Sequence, residues 1–533
     1  MPNMLLALAF GLGVGLSMAY LVCGFVSPLI NQSQPPLPPG PKGLPLVGNV
    51  NELPKPGILV ADHWLKHKKL YGPISSITIL GQTIIIINDA RLAHELFTKR
   101  LSRYSSRPKQ VFASEMIGWE KTIGISPYNK RYQSMRKGLN RFINSNTAAT
   151  KFYDIQHTES AHFLLHVLNS PENLHEHIRK TVGAGILKIA YGYTAESHRP
   201  DILIDMVNDA MGKFSRAMVP GTFMVDVFPL LRKLPDWVPG AGFKKLAHQW
   251  ASELSDVAEK PYAFVKHQMA QGRHKASFTS HLIEMGDTSK EGNDLSKWSA
   301  ASIYSAGSDT TVASIGWFFL AMAIFPEVQE RAQSEIDEII GNGRVPTIAD
   351  RGSLPYINAV VKETLRWHTV APMGIPHQNT EDDVCEGYLI PKGSMLFANL
   401  WHFTHDPDVY QDPSAFKPER FLAVEGREAE PDPEKFVFGF GRRLCPGRFI
   451  AQDGLFLHVA QSLAVFSIEK PHDVEDEHGF QHELMFQEGA VSHPVPYKVT
   501  IRPRSFQHEK MIRALEETYP WQQSDTKVLE KMK

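Results

Sequence analysis

The stretch that most restricts what this chain can fold into is Phe438-Gly439-Phe440-Gly441-Arg442-Arg443-Leu444-Cys445-Pro446-Gly447, followed at once by an apolar helical pattern from Phe449 to Phe466. Proline suits the first turn of a helix, where its missing N–H costs nothing, so Cys445 is expected at or just before a helix N-terminus. The unpaired N–H groups and the positive dipole end found there favour a thiolate. Glycines at 441 and 447 permit a sharp turn or the close approach of something flat. Arg443, two residues before the sulfur, suits an anionic group. A lone cysteine is more simply a buried core thiol, but here it sits inside a ten-residue pattern. The chain has only three cysteines, Cys23, Cys385 and Cys445. Cys23 lies in the N-terminal apolar run, so no disulfide framework is available and the main body reads as cytosolic.

The spacing Phe, two residues, Gly, one residue, Arg, one residue, Cys, one residue, Gly resembles the haem-binding loop of the cytochrome P-450 family, the haem-thiolate monooxygenases. All five fixed positions are present, as Phe438, Gly441, Arg443, Cys445 and Gly447. The resemblance implies heme b as cofactor, with Cys445 as axial ligand of the iron. A thiolate in that position pushes electron density onto iron and favours O–O cleavage. It also implies the family's fold, mainly α with a small β region, preceded here by one N-terminal transmembrane helix.

That anchor is read from the residues. Residues 1–41 carry no charged side chain, and Met4 to Ile30 is almost wholly apolar over 27 residues, against roughly 20 needed to cross a bilayer. A signal peptide has a basic start, a shorter apolar region and a small-residue cleavage site. The expected organisation is an anchor over 1–30, a proline-rich hinge over 31–50, a monooxygenase domain over 51–505 and a charged tail over 506–533. Prolines between Pro35 and Pro45 favour an extended chain, a stiff spacer between anchor and body. Strands are expected at Ile74–Leu80 and Thr83–Asn88, joined by Gly81-Gln82, with Asp89 capping a short helix. A formal net charge of −1 gives no support for nucleic-acid binding.

The remaining motifs follow in family order over about residues 35–505. Tyr132 and Arg136, four apart, share a helix face. The family usually has Trp and Arg there, meeting a haem propionate; Arg136 matches and Tyr132 departs. The loop 109–127, with Phe112, Met116 and Trp119, resembles the roof of the haem pocket. Residues 150–290 read as helices broken at Pro220-Gly221, Pro229, Pro235 and Pro239, with Phe223, Met224, Val225, Val227 and Phe228 in a segment that resembles an access lid.

Trp298–Phe325 reads as a long apolar helix interrupted by Ala306-Gly307-Ser308-Asp309-Thr310-Thr311. An acid beside two threonines is poor core chemistry, and local disagreement with a pattern points to function. Gly307 has no side chain, so the helix is expected to pass close to a flat cofactor, with Ala306 beside it. Thr310 is expected to bond the carbonyl four residues back. By resemblance Asp309 and Thr310 are the catalytic acid–alcohol pair, which handles protons for the activated oxygen. Glu363 and Arg366, with Arg420 of Pro418-Glu419-Arg420-Phe421, resemble the Glu–Arg–Arg network that locks the cysteine loop. Val370, Ala371, Met373 and Ile375 are expected substrate contacts, and His377 resembles a propionate-binding histidine. Cys385 is expected only to pack, and Phe486–Ser492 to form a hairpin near substrate. No chemistry is read in the tail.

The function implied is insertion of one oxygen atom of O2 into a small apolar organic substrate. No flavin or nicotinamide fingerprint is present, so NADPH-cytochrome reductase, with cytochrome b5 as a second donor, is the implied electron source. The endoplasmic reticulum membrane, single-pass with the body facing the cytosol, is the implied location. The chain is similar to fungal microsomal members acting in secondary metabolism on terpenoids, polyketides or alkaloids, such as O-methylsterigmatocystin oxidoreductase-like enzymes. The alternatives are a haem-thiolate isomerase or dehydratase working without a reductase, a xenobiotic or fatty-acid hydroxylase, and a non-catalytic haem sensor.

Overall fold

The computed structural model describes residues 35–55, 58–286, 289–471, 486–487 and 489–532. The expected anchor lies outside the described residues. The chain divides into two compact units, one formed by residues up to 108 with 376–399, the other by 109–375 with 400 onwards.

The smaller unit holds the β region. Helix α1 (Val60–Tyr71) precedes strands β1 (Ile74–Ile79) and β2 (Gln82–Ile87), and β3 (His377–Gln378) and β4 (Met395–Ala398) join them in the order β1-β2-β4-β3. β1 and β2 pair antiparallel with Ile79 opposite Gln82, whereas β2 and β4 pair parallel with Ile84 opposite Met395. The hairpin turn is Leu80-Gly81, not Gly81-Gln82, and both residues have positive φ, 48° and 84°. Such turns match the twist of the strands they join, which outweighs the strain on Leu80. Asp89 caps the next helix as expected, accepting from Leu92 N at 2.8 Å.

The hinge is not a free spacer over the residues described. Pro39 O accepts from Ser76 N at 2.9 Å, Pro38 O from Ser76 Oγ at 2.5 Å and Pro36 O from Leu389 N at 2.8 Å. Proline lacks a donor but keeps its carbonyl, and an edge strand supplies unpaired N–H groups.

The larger unit is helical: α2 (Lys130–Ile143), α3 (Tyr153–Asn169), α4 (Leu174–Tyr191), α5 (Ile202–Ala217), α6 (Gly242–Ala270), α7 (Lys290–Ile324), α8 (Pro326–Ile339), α9 (Pro355–Trp367), α10 (Arg448–Val465), α11 (Phe506–Thr518) and α12 (Thr526–Lys531). It is organised around α7, which packs against α2, α4, α5, α6, α9 and α10. That explains its apolar surface: among the described residues it alone is long and apolar enough to span a membrane, yet it is mostly buried. Helix α7 starts eight residues before the apolar pattern does. Ser289 caps it, accepting from Gly292 N at 3.1 Å, and its polar first turns need no burial.

Residues 506–532 are not a loose tail. Ile512 and Leu515 of α11 and Leu529 of α12 are buried in the core. Spacing of three puts Ile512 and Leu515 on one face, and the charged residues around them face water.

Candidate active site

Cys445 stands three residues before α10, whose N-cap is Gly447. The loop is closed on itself by Cys445 N donating to Phe438 O at 2.8 Å and Arg443 N to Phe440 O at 2.9 Å. Gly439 and Gly441 carry the turn at φ 81° and 51°, a region that costs most other residues strain. Burial pushes the Cys445 thiol above its ordinary value, against the Gly447 N–H and the Arg136 and Arg448 charges, which pull it down. Desolvation of the charged form is the larger effect, and the helix end with its neighbouring arginines works against it.

Helix α2 packs on α7 and brings Tyr132 and Arg136 to this loop. The Tyr132 hydroxyl donates to Arg442 O at 2.5 Å, and its ring lies 3.9 Å from the Arg443 guanidinium. The phenol thus helps to hold the cysteine loop. Arg443 donates to Ile123 O at 3.1 Å and Ser126 O at 2.8 Å, and burial pushes it down to about 10. Burial also lowers Arg136, and among the described residues no carboxylate pairs with it. Two guanidiniums, Arg136 and Arg448, act on the half-buried Cys445 thiol. This donor set fits a metal-bound thiolate and an anionic cofactor edge, since buried cations favour anions beside them.

In α7 Thr310 Oγ1 donates to Ala306 O at 2.9 Å, the predicted bond to the carbonyl four residues back. Gly307 also serves the packing of α7. A Cβ there would lie 2.7 Å from Ile186 Cδ1, so its bareness lets α7 pack closely on α4. The acid has a partner that the sequence reading missed: His493 Nε2 lies 2.8 Å from Asp309 Oδ1. The two stand 184 positions apart, so no local pattern reveals the pair.

Glu363 accepts two bonds from Arg366, at 2.7 and 2.8 Å, one from Arg420 Nε at 3.2 Å and one from Lys417 N at 2.7 Å. Arg366 also donates to the carbonyls of Thr404, Pro413 and Ala415. Arg420 reaches Glu430 at 2.6 Å, and Glu434 and Gln452 bond across the segment that leads into Phe438. Charge-assisted bonds thus join α9 to the segment 417–430, which precedes the cysteine loop in the chain.

Over the loop after residue 109, Phe112 stacks on Phe223 at 3.5 Å and meets Trp250 edge-on. Phe112 N donates to Asp226 Oδ1 at 2.8 Å, and burial pushes that carboxyl up to about 6. Val370 O accepts from Ser492 N at 2.8 Å, which joins the expected substrate strip to the last segment. His377 lies in the smaller unit. Its Nδ1 donates to Tyr104 O at 2.7 Å and its ring stacks on Phe97 at 4.1 Å, so a place on strand β3 is established for it and a ligand is not. Cys385 is packed as expected, at 2% exposure.

A family model described as Cytochrome P450 matches residues 38–501. Cytochrome P450 monooxygenase claR of Ampulloclitocybe clavipes is 47% identical over 481 residues, covering 90% of this chain and 88% of the relative. Cytochrome P450 monooxygenase ppsD of Aspergillus oryzae is 42% identical, with 93% and 94% covered. O-methylsterigmatocystin oxidoreductase of Aspergillus flavus is 38% identical, with 92% of each covered.

Proposed function

The chain belongs to the cytochrome P450 family, and from that premise we propose a specific reading of its site: Cys445 ligates the haem iron, Arg136 meets a propionate, and Asp309 and Thr310 deliver protons. The protein is a cytochrome P450 monooxygenase with a haem-thiolate cofactor, dependent on dioxygen and a reductase. The haem, when bound, supplies the redox chemistry that activates dioxygen.

The observation that carries this reading is Cys445 set just before α10, with the Gly447 N–H aimed at it and the Arg136 and Arg448 charges favouring its thiolate. Cys445 binds as thiolate, and the Glu363–Arg366–Arg420 network keeps its loop from shifting. The Tyr132 hydroxyl and Arg443 brace the loop from the α2 side. Thr310 Oγ1, bonded to Ala306 O, holds a hydroxyl in the middle of α7 and takes protons from Asp309.

The substrate is a small apolar molecule that arrives from lipid. Phe112 on Phe223, just after α5, and Trp119 on Phe214 of α5 supply an apolar lid. Beyond it Phe228, Leu230 and Trp237 are exposed, Trp237 by 82%. Such a patch, in a chain that begins with a long apolar run, favours a membrane surface. Endoplasmic reticulum anchoring through residues 1–30, cytochrome b5 as a second donor, and a terpenoid, polyketide or alkaloid substrate of fungal secondary metabolism complete the reading.

Its test is the reduced carbon monoxide difference spectrum of microsomes carrying the wild type and Cys445→Ser. A red-shifted thiolate-type band lost in the variant is expected. A histidine-type band in folded wild-type protein would overturn the assignment. Reductase-dependent NADPH consumption then separates a monooxygenase from a reductase-free isomerase.

A further inference from the structure

Asp309 has one side-chain partner among the described residues, His493. The carboxylate and imidazole are 14% and 17% exposed, so one edge of the pair touches solvent and the rest is enclosed. The contact is built in by the main chain. Gly316 lies seven residues beyond Asp309, on the same face of α7, and the segment 492–497 runs along that face. Trp317 Nε1 donates to Ser492 O at 3.0 Å, and Ser492 N to Val370 O at 2.8 Å. Tyr497 OH donates to Gly316 O at 2.5 Å, and Pro494 seats against Gly316, where a Cβ would come within 3.3 Å of it. Gln487 N donates to His493 O at 2.8 Å. The backbone on both sides of His493 is tied down, so its ring is presented to Asp309.

We propose that His493 positions Asp309 and supplies the proton that Asp309 passes to Thr310. The step is a simple exchange. The Nε2–H bond of the imidazolium breaks and an O–H bond forms at Asp309 Oδ1; once Asp309 has passed that proton on, a hydronium from solvent at the exposed edge of the pair reprotonates Nε2 and leaves water. Histidine is suited to this because its charge changes near neutral pH. The other charged groups facing it come from α4, where His175 feels the charge of His493 and Arg179 follows one turn on. His175 is itself held by Tyr497 O at 3.3 Å. The inference rests on Asp309 acting as proton carrier.

The experiment uses the full haem-loaded chain, its carbon monoxide spectrum serving as control, and dioxygen as the probe. Dithionite-reduced protein is mixed with air-saturated buffer between pH 5.5 and 8.5, and reoxidation is followed at the Soret band. In the wild type the rate falls as pH rises, by roughly 10-fold or more, as expected of a positioned acid. His493→Gln keeps an N–H toward Asp309 but has no proton to give. Its rate is flat, at the wild type's high-pH value. Asp309→Asn, which leaves His493 in place, flattens the profile too. A wild-type slope retained in His493→Gln but lost in Asp309→Asn overturns the role of His493 and leaves the Asp309 reading intact. A slope retained in Asp309→Asn and Thr310→Ala overturns that reading as well. A second readout needs no turnover: thermal unfolding at pH 6. His493→Gln lowers the midpoint in the wild-type background and not in the Asp309→Asn background. Equal losses in both would show that the two side chains are uncoupled and refute the pair.

Discussion

Glu363→Gln separates two carboxylates that look alike on paper. Glu363 and Glu430 both neutralise Arg420, yet Glu363 is fully buried and Glu430 is 22% exposed. Replacing Glu363 leaves Arg420 with Glu430 at 2.6 Å. It leaves Arg366, also fully buried, with only neutral acceptors, the new amide oxygen and main-chain carbonyls. An uncompensated buried charge costs about 3–5 kcal/mol, and the exposed partner is worth about 1 kcal/mol or less. At about 2.1 cal/mol/K per residue of unfolding entropy, a chain of this size loses about 3–5 °C in thermal midpoint for Glu363→Gln and about 1 °C or less for Glu430→Gln. Adding Arg366→Met removes the stranded cation and recovers part of the loss. It cannot recover all of it, because the carbonyls of Thr404, Pro413 and Ala415 lose their donor. Differential scanning fluorimetry of the haem-loaded protein measures all of these. Equal losses for the two carboxylates would refute the argument from burial.

Gly307→Ala places a methyl 2.7 Å from Ile186 Cδ1; overpacking of about 1–3 kcal/mol exceeds the helix-propensity gain of about 1 kcal/mol. Ile186→Val deletes that atom and is expected to restore stability in the double variant, whereas a cofactor-facing Gly307 would show an altered Soret band and no rescue by chemical denaturation. Asp226 is raised from its ordinary 3.8 to about 6 by burial, so its contribution is complete below about pH 4 and lost as pH rises through about 6. Asp226→Asn is therefore expected to stabilise by up to about 3 kcal/mol at pH 8 and by little at pH 4, and a loss at pH 8 in thermal melts would contradict this. Trp521 is ringed by His162 at 3.9 Å, His198 at 4.7 Å and His166 at 5.1 Å, and burial holds His166 down at about 3. That stability is complete above the ordinary value of 6.5 and lost progressively as pH falls from there to about 3, so hydrogen exchange over residues 506–531 should rise on acidification before it does in α7.

The elements legible in the residues were those with a local physical signal. The turn around Cys445, the Asp89 cap, the Thr310 back-bond and the end of α7 at Pro326 each depend on residues within a few positions of one another. The apolar period of α7 was visible, but its polar first turns were not, because a capped and solvated helix start leaves no hydrophobic pattern. Residues 506–532 looked like a charged tail because Ile512, Leu515 and Leu529 are sparse among charges, and burial on one face is a property of the partner surface.

What the sequence by itself determined was the cysteine loop and the Asp309–Thr310 pair as improbable groupings in an apolar setting, whereas Glu363, Arg366 and Arg420 were joined only by the family resemblance. Only the tertiary structure decided who meets whom. It spent the Tyr132 hydroxyl on Arg442, turned Gly307 toward Ile186, and carried His493 across 184 residues to Asp309. The physical reason is range: caps, turns and helix faces are set by neighbours along the chain, whereas hydrogen bonds between distant side chains exist only once packing has brought their backbones together.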